Sequence, residues 1–355
     1  MFCNHRRSWG LLAGFAVFVW AAGTQAEQRP KAPGKLVAVD GIELHLHCRG
    51  RDRGGPSVVL DAGLGGVALE WEAVQDALVK DMTVCSYDRA GMGWSDVSDA
   101  PRTTSRMVTE LRDLLATGKV DPPYILVGHS FGGYNAQLFA SRYRVDTAGV
   151  VLLDSSHPEQ VERFLAPPIK LNTVPRRRSG VVFTSPPPTP SALPEHLRAS
   201  VQALLAQYKS MRTAYEELMN FRTSAHEVRD AHVRLDVPVV VVSRGRREWS
   251  HGANALKKEN LWQDLQRELG TLSPHSAHLL ALESGHHIHL EQPRLVADAV
   301  RLVVAEINGN SCRDDRTDPV CEMSSHRVAW IGNSLKLAAR TVAWKPVSLQ
   351  LVTTY

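Results

Sequence analysis

Apolar and polar residues alternate from residue 35 onward. "KLVAVDGIELHLHCRG" holds two runs of period two on either side of Asp40-Gly41. A period of two sends successive side chains to opposite faces, and Asp-Gly supplies the positive-φ positions of a tight hairpin turn. The pattern then changes. "PSVVLDAGLGG", "MTVCSYDRAGMGWSD", "YILVGHS", "TAGVVLLDSSHP", "VPVVVVSRG" and "AHLLALESGHH" each carry a short apolar run that gives way to a glycine-containing or polar loop. Such runs predict strands buried on both faces. Among them, "WEAVQDALVKD", "TSRMVTELRDLLATG", "GYNAQLFASRY", "LWQDLQRELGTL" and "PRLVADAVRLVVAEI" place apolar residues at helical spacing. The second of these is expected to start on a serine or threonine cap and to stop at Gly118. Strands alternating with helices predict an α/β fold, a mostly parallel sheet flanked by helices.

Two stretches depart from that alternation. Residues 155–232 pass through "FLAPPIK" and the proline-rich "TSPPPTPSALP", then turn helical in "EHLRASVQALLAQYKSMRTAYEELM". An insertion at the C-terminal edge of the strands is expected to act as a lid or cap. The core is then residues 36–154 and 233–307. Residues 308–355 follow the last expected helix and carry no repeat or motif.

Composition narrows the class. A chain of 355 residues, 43% hydrophobic and 22% charged, can bury the core of an α/β domain with an insertion. The net charge of +4 is weak, and the arginines at Arg176–Arg178 and at Arg244, Arg246 and Arg247 have no aromatic residues interleaved. They read as solvated surface, and no nucleic-acid partner is expected. The N-terminus is more telling. A basic "NHRRSW", an apolar "GLLAGFAVFVWAAG" and a small-residue exit after Ala26 have the three-part shape of a secretory signal peptide over residues 1–26. The apolar run falls short of the roughly 20 residues of a membrane span. An uncleaved N-terminal anchor is the alternative, and membrane contact is expected only in that case. The folded part is expected in an exported compartment, periplasmic or secreted. Of five cysteines, Cys3 lies in the expected signal. The other four are expected to pair as Cys48 with Cys85 and Cys312 with Cys321, with buried free thiols as the alternative for the first pair.

The candidate chemistry centres on Gly128-His129-Ser130-Phe131-Gly132. It fits the G-x-S-x-G nucleophile elbow and lies between an apolar strand and a helix, the context that gives the match meaning. Gly128, Gly132 and Gly133 remove side chains where strand and helix close on each other. A serine hydroxyl needs a base. His286, in "ESGHHIHLEQP", follows a strand and precedes the last helix, so it comes from the same sheet edge as Ser130; His287 and His289 are its competitors. The spacing of these three matches no common zinc pattern, and neither metal nor cofactor is expected. The base needs an acid, and two carboxylates keep the order serine, acid, histidine. Asp154 ends the strand after the nucleophile helix, and Glu248 follows the next strand. We read Asp154 as the acid, with Glu248 as the alternative. The oxyanion hole is expected from the N–H of Phe131 and that of Leu64 in "DAGLGG".

"VVLDAGLGG", "VCSYDRAGMGWSD", "LVGHSFGGYNAQLFA", "VVLLDSSHPEQ" and "SGHHIHLEQPRLVADAV" together resemble the α/β-hydrolase superfamily, in particular its bacterial exported or membrane-associated branch with a "YDRAG-GWS" signature. The resemblance runs from about Leu36 to Ile307. It implies Ser130 as nucleophile, His286 as base, and Leu64 and Phe131 as oxyanion donors. It also implies that Tyr87, Asp88 and Arg89 support the sheet edge beside the pocket and are not catalytic. This sequence departs from the commonest pattern after "VVVVSRG", where the usual aspartate is a glutamate.

These readings converge on a cofactor-independent serine hydrolase of small-molecule esters, or less readily amides. Cofactor-free haloperoxidases and small aminopeptidases share the serine by resemblance, whereas epoxide hydrolases use aspartate there. A binding protein on a hydrolase fold is the alternative from another class.

Overall fold

The computed structural model describes residues 30–51, 53–164, 189–249, 252, 254–309 and 328–330. Asp40 and Gly41 take φ of 51° and 84°. They turn β1 (Lys35–Val39) back on β2 (Ile42–Arg49) with Val39 opposite Ile42. β3 (Ser57–Asp61), β4 (Val84–Tyr87), β5 (Tyr124–His129), β6 (Thr147–Leu153), β7 (Val239–Arg244) and β8 (Ser276–Ala281) are parallel to one another. With β9 (Val328–Trp330), antiparallel to β8, the sheet order is β1-β2-β4-β3-β5-β6-β7-β8-β9. The expected α/β-hydrolase fold is therefore present, and the backbone of β9 adds an edge strand from the region beyond the last expected helix.

The strands are buried on both faces because their apolar residues divide by parity. Val58, Leu60, Ile125 and Val127 pack with α1 (Glu72–Leu78) and α10 (Pro293–Ile307), whereas Val59 and Leu126 face the other layer. That second layer holds α2 (Thr104–Thr117), α3 (Gly132–Arg142) and α7 (Phe221–Asp230). Each large aliphatic side chain removed from water contributes about 1.5–3 kcal/mol. Cys48 and Cys85 lie opposite each other on β2 and β4 and are disulfide-bonded across 37 residues. Closing a loop of that length removes about 4 kcal/mol of unfolded-state entropy. Residues 1–29, Arg176–Arg178 and the Cys312–Cys321 pair lie outside the described residues.

The insertion differs from expectation in detail. After α4 (Gln160–Phe164), the helical stretch near residues 195–219 is two helices, α5 (Glu195–Leu205) and α6 (Tyr208–Met219), because Gln207 is extended with φ −62° and ψ 134°. No glycine or proline marks the break. It separates two packing environments: α5 buries Leu197, Val201 and Leu204 against Met92 and Trp94, whereas α6 buries Thr213 and Glu217 elsewhere. The α2 cap also differs. Thr103 stands at the cap position without a side-chain bond, and the first-turn N–H groups of Thr104 and Ser105 donate to Ser224 Oγ and Glu227 Oε2 of α7 instead, at 3.0 and 2.7 Å. α8 (Ala255–Leu269) follows β7, and the short α9 (Ile288–Glu291) follows β8. Among the described residues no helix is long and apolar enough to cross a membrane.

Candidate active site

β5 enters α3 through Ser130, whose φ is +49°. A left-handed non-glycine residue costs on the order of 1–3 kcal/mol, so the surroundings must impose it. Ser130 N–H donates to Leu153 O at 3.1 Å, and Ser130 O accepts from Gly133 N at 3.0 Å and Ser156 N at 2.9 Å. The flanking glycines are required by proximity. A Cβ at Gly128 would lie 2.4 Å from Gly132 O, one at Gly132 would lie 2.4 Å from Asp61 O, and one at Gly133 would lie 1.8 Å from Ser155 Oγ. The turn is thus wedged between the ends of β3 and β6.

Asp154 follows β6, and its Oδ2 stands 2.6 Å from His286 Nδ1. The carboxylate is fully buried and accepts from Trp262 Nε1 at 2.7 Å, Arg244 Nη1 at 2.6 Å and Arg244 N at 3.2 Å. Burial pushes its pKa up, but the hydrogen bond and charge of His286 and the Arg244 guanidinium outweigh that and leave the carboxyl below its ordinary value. Glu248 reaches the same loop differently: its Oε1 accepts from the main-chain N–H of His286 at 2.8 Å. Of the two candidate acids, only Asp154 therefore contacts the imidazole ring.

Arg244 corrects the reading of its cluster as solvated surface. It is 2% exposed, ion-paired with Asp154 and Glu259, and its guanidinium lies 4.9 Å and 4.8 Å from the rings of Trp249 and Trp262. Ending β7 beside β6 directs it inward; Arg246 and Arg247, past the strand, are exposed as expected.

The three histidines that follow β8, two in the loop and His289 in α9, separate clearly. His286 keeps 29% of its side chain exposed. His287 packs 5.5 Å from the His286 ring, and burial together with the neighbouring imidazoles lowers its pKa to about 4. His289 is fully buried, 4.6 Å from Trp71 and with Nε2 3.6 Å from Glu70. Among the described residues no group of three or more histidine, cysteine or acidic side chains has metal-holding geometry. Sequence reasoning missed His129. Its Nε2 lies 2.9 Å from His286 O, its ring 4.7 Å from the His286 ring, and it directly precedes Ser130. Burial first, then the surrounding imidazoles, push its pKa well below the usual histidine range.

On the other side of Ser130, the loop after β3 closes with Gly66 N–H donating to Gly63 O at 3.0 Å. It packs onto the elbow so closely that a Cβ at Gly63 would lie 2.9 Å from His129 Nδ1 and 3.5 Å from Ser130 Cβ. Among the described residues neither the Leu64 N–H nor the Phe131 N–H has a main-chain acceptor. Tyr87 donates to Asp61 Oδ2 at 2.7 Å, Asp88 accepts from Ala68 N and Trp94 N at 2.7 and 3.0 Å, and Arg89 Nη1 donates to Asp61 Oδ1 at 2.8 Å.

A nucleophile elbow, a histidine loop after β8 and a glycine loop after β3 at one edge of such a sheet define a class, and residues 58–299 match the Alpha/beta hydrolase family. The chain belongs to that family. It is 28% identical over 267 residues to the uncharacterized protein YqjL of Bacillus subtilis, covering 75% of this chain and 90% of YqjL. Among solved structures it is similar to a thermophilic esterase from Thermogutta terrifontis, with TM-score 0.55, 20% identity, and coverage of 77% and 98% of the two chains. It is also similar to the epoxide hydrolase VrEH1 from Vigna radiata, with TM-score 0.57, 16% identity, and coverage of 77% and 97%. These two share the fold and differ in chemistry, so the residues of the site must decide between them.

Proposed function

We propose that the protein is a serine hydrolase that cleaves carboxylic esters of small molecules through an acyl-enzyme. The observation that carries this reading is the 2.6 Å contact between His286 Nδ1 and the buried Asp154, made beside a serine held at positive φ. Ser130 Oγ attacks the ester carbonyl while His286 Nε2 takes its proton. Asp154 holds the Nδ1–H and stabilises the imidazolium. Charge on the tetrahedral oxygen is met by the N–H groups of Leu64 and Phe131. The intermediate collapses, the alkoxide leaves with the proton from His286, and the acyl group stays on Ser130. A water then gives His286 a proton and attacks the acyl carbon; the carboxylic acid departs and Ser130 regains its hydrogen. A serine at position 130 favours this route over epoxide opening.

Export, periplasmic or secreted, belongs to the same proposal. The Cys48–Cys85 disulfide supports it, since such bonds persist in oxidising compartments. Hydrolysis of a p-nitrophenyl ester series by the purified protein and by Ser130→Ala tests the activity. Turnover lost in the variant is expected. Equal turnover in the two, or none in a well-folded wild type, would contradict it.

A further inference from the structure

α6 lies directly on the loops that follow β3 and β4. Ser210, Thr213, Ala214 and Glu217 fall at helical spacing on one face, and Ser210, Thr213 and Glu217 are at most 2% exposed. The loops beneath are glycine where the helix touches them. A Cβ at Gly65, φ +67°, would lie 3.0 Å from Ala214 Cβ, and one at Gly91, φ +85°, would lie 2.0 Å from Thr213 Oγ1.

Glu217 extends from this face to the loop that carries Leu64. Its Oε2 accepts from Gly65 N–H at 2.8 Å, and its two oxygens take the Arg89 fork at Nε, 2.7 Å, and Nη2, 3.0 Å. A planar fork held at two points is fixed in orientation. Arg89 in turn donates to Ala62 O at 2.8 Å and Gly63 O at 2.7 Å, and its guanidinium sits 5.7 Å from the Phe131 ring. Gly63 O belongs to the same peptide plane as Leu64 N–H. In a trans peptide the C=O and N–H point in opposite directions, so gripping the carbonyl aims the N–H.

We infer that Glu217 is a positioning residue for the oxyanion hole: from the cap it fixes Arg89, and through Arg89 and Gly65 it sets the direction of the Leu64 N–H. Seating the cap and aiming the donor are then one equilibrium, and the cap is part of the catalytic apparatus as well as a cover. The inference rests on the serine hydrolase reading.

Glu217→Gln tests it, with Glu216→Gln, on the neighbouring partly exposed position of α6, as the control. Ester turnover, Ki for a trifluoromethyl ketone and fluorophosphonate labelling are measured for each. For Glu217→Gln, kcat is expected to fall by about 100-fold with KM little changed, as a small misplacement of a catalytic group produces. Ki for the ketone, which mimics the tetrahedral state, is expected to rise in step. Glu216→Gln is expected to match the wild type. Should Glu217→Gln fold poorly, Glu217→Asp keeps a buried negative charge facing Arg89 but, one methylene shorter, cannot hold the Arg89 fork and the Gly65 N–H together. It is expected to stay as slow; a role confined to folding would instead return kcat along with stability, and that result overturns the inference. Wild-type kcat and Ki in Glu217→Gln overturn it as well, while leaving the hydrolase reading intact. A wild type that neither turns over nor is labelled removes the hydrolase reading, and this inference with it.

Discussion

Two buried arginines flank β5, each from a region two strands away in the sheet, and they are used in opposite ways. Arg244, at the end of β7, serves carboxylates of the core alone, Asp154 and Glu259, and Asp154 collects His286, Trp262 and Arg244, all from β6, β7, α8 and the loop after β8. Arg89, just after β4, is itself the hub, and one of its two carboxylates, Glu217, comes from α6. The Asp154 side is complete within the core, whereas the Leu64 side, the proposed oxyanion side, also takes contacts from α6. The bracing differs too. Cys85, two residues before Tyr87, ties β4 covalently to β2 on the oxyanion side. The acid side instead holds closely packed histidines.

The largest effects are expected where the comparison meets the nucleophile and its acid. Asp154→Asn should lower kcat by about 10⁴-fold, because the amide no longer enforces the tautomer that leaves Nε2 free to accept a proton. Glu248→Gln should change kcat far less, since the amide oxygen can still accept from the His286 main chain. Steady-state kinetics on one ester checks both, and the reverse ranking would transfer the acid role to Glu248.

Next comes Arg244→Met. One cation fewer faces Asp154, whose carboxyl Arg244 helps hold below its ordinary value, so protonation of that carboxylate becomes easier and the low-pH limb of the kcat/KM profile moves to higher pH. An unmoved limb would make Arg244 a packing residue only.

Stability separates the two sides more mildly. Replacing Cys48 and Cys85 by serine should cost about 2–5 kcal/mol in denaturant unfolding. Activity at low temperature should be retained if noncovalent packing holds β4 in register.

The smallest effect is a pH dependence on the acid side. His278, bonded to Ser243, and His287 are held neutral by burial, each with pKa lowered to about 4. The unfolded chain binds more protons below pH 6.5, so stability should fall as pH drops from about 6.5 to 4, by on the order of 1 kcal/mol per group for each pH unit. Chemical denaturation at stepped pH checks this, and His278→Gln should flatten the slope.

Much of this was legible locally. The Asp40-Gly41 hairpin, the elbow at Ser130 and the closing helix at Pro293–Ile307 each carry their signal within a few residues, in turn chemistry or periodicity. The Cys48–Cys85 bond was one of two readings of the four cysteines left once Cys3 was set aside, buried free thiols being the other. The choice between Asp154 and Glu248 was not legible, because both stand in loops after neighbouring strands and only side-chain direction separates them. Arg244 was misread for a related reason: its neighbours in sequence are exposed, and its partner lies 90 residues away. Glu217 gave no signal at all, sitting in an ordinary amphipathic helix 128 residues from Arg89. The break between α5 and α6 was hidden because no glycine or proline marks it, and the two helices bury their faces against different partners.

The central claim is that Ser130 is a nucleophile activated by His286 and Asp154. Fluorophosphonate labelling followed by peptide mass spectrometry tests it most directly, because it reads the serine itself and needs no knowledge of the substrate. A single adduct on Ser130 is expected, strongly slowed in Asp154→Asn and formed at near wild-type rate in Glu248→Gln. A folded protein that stays unlabelled, or an adduct on another residue, would contradict it.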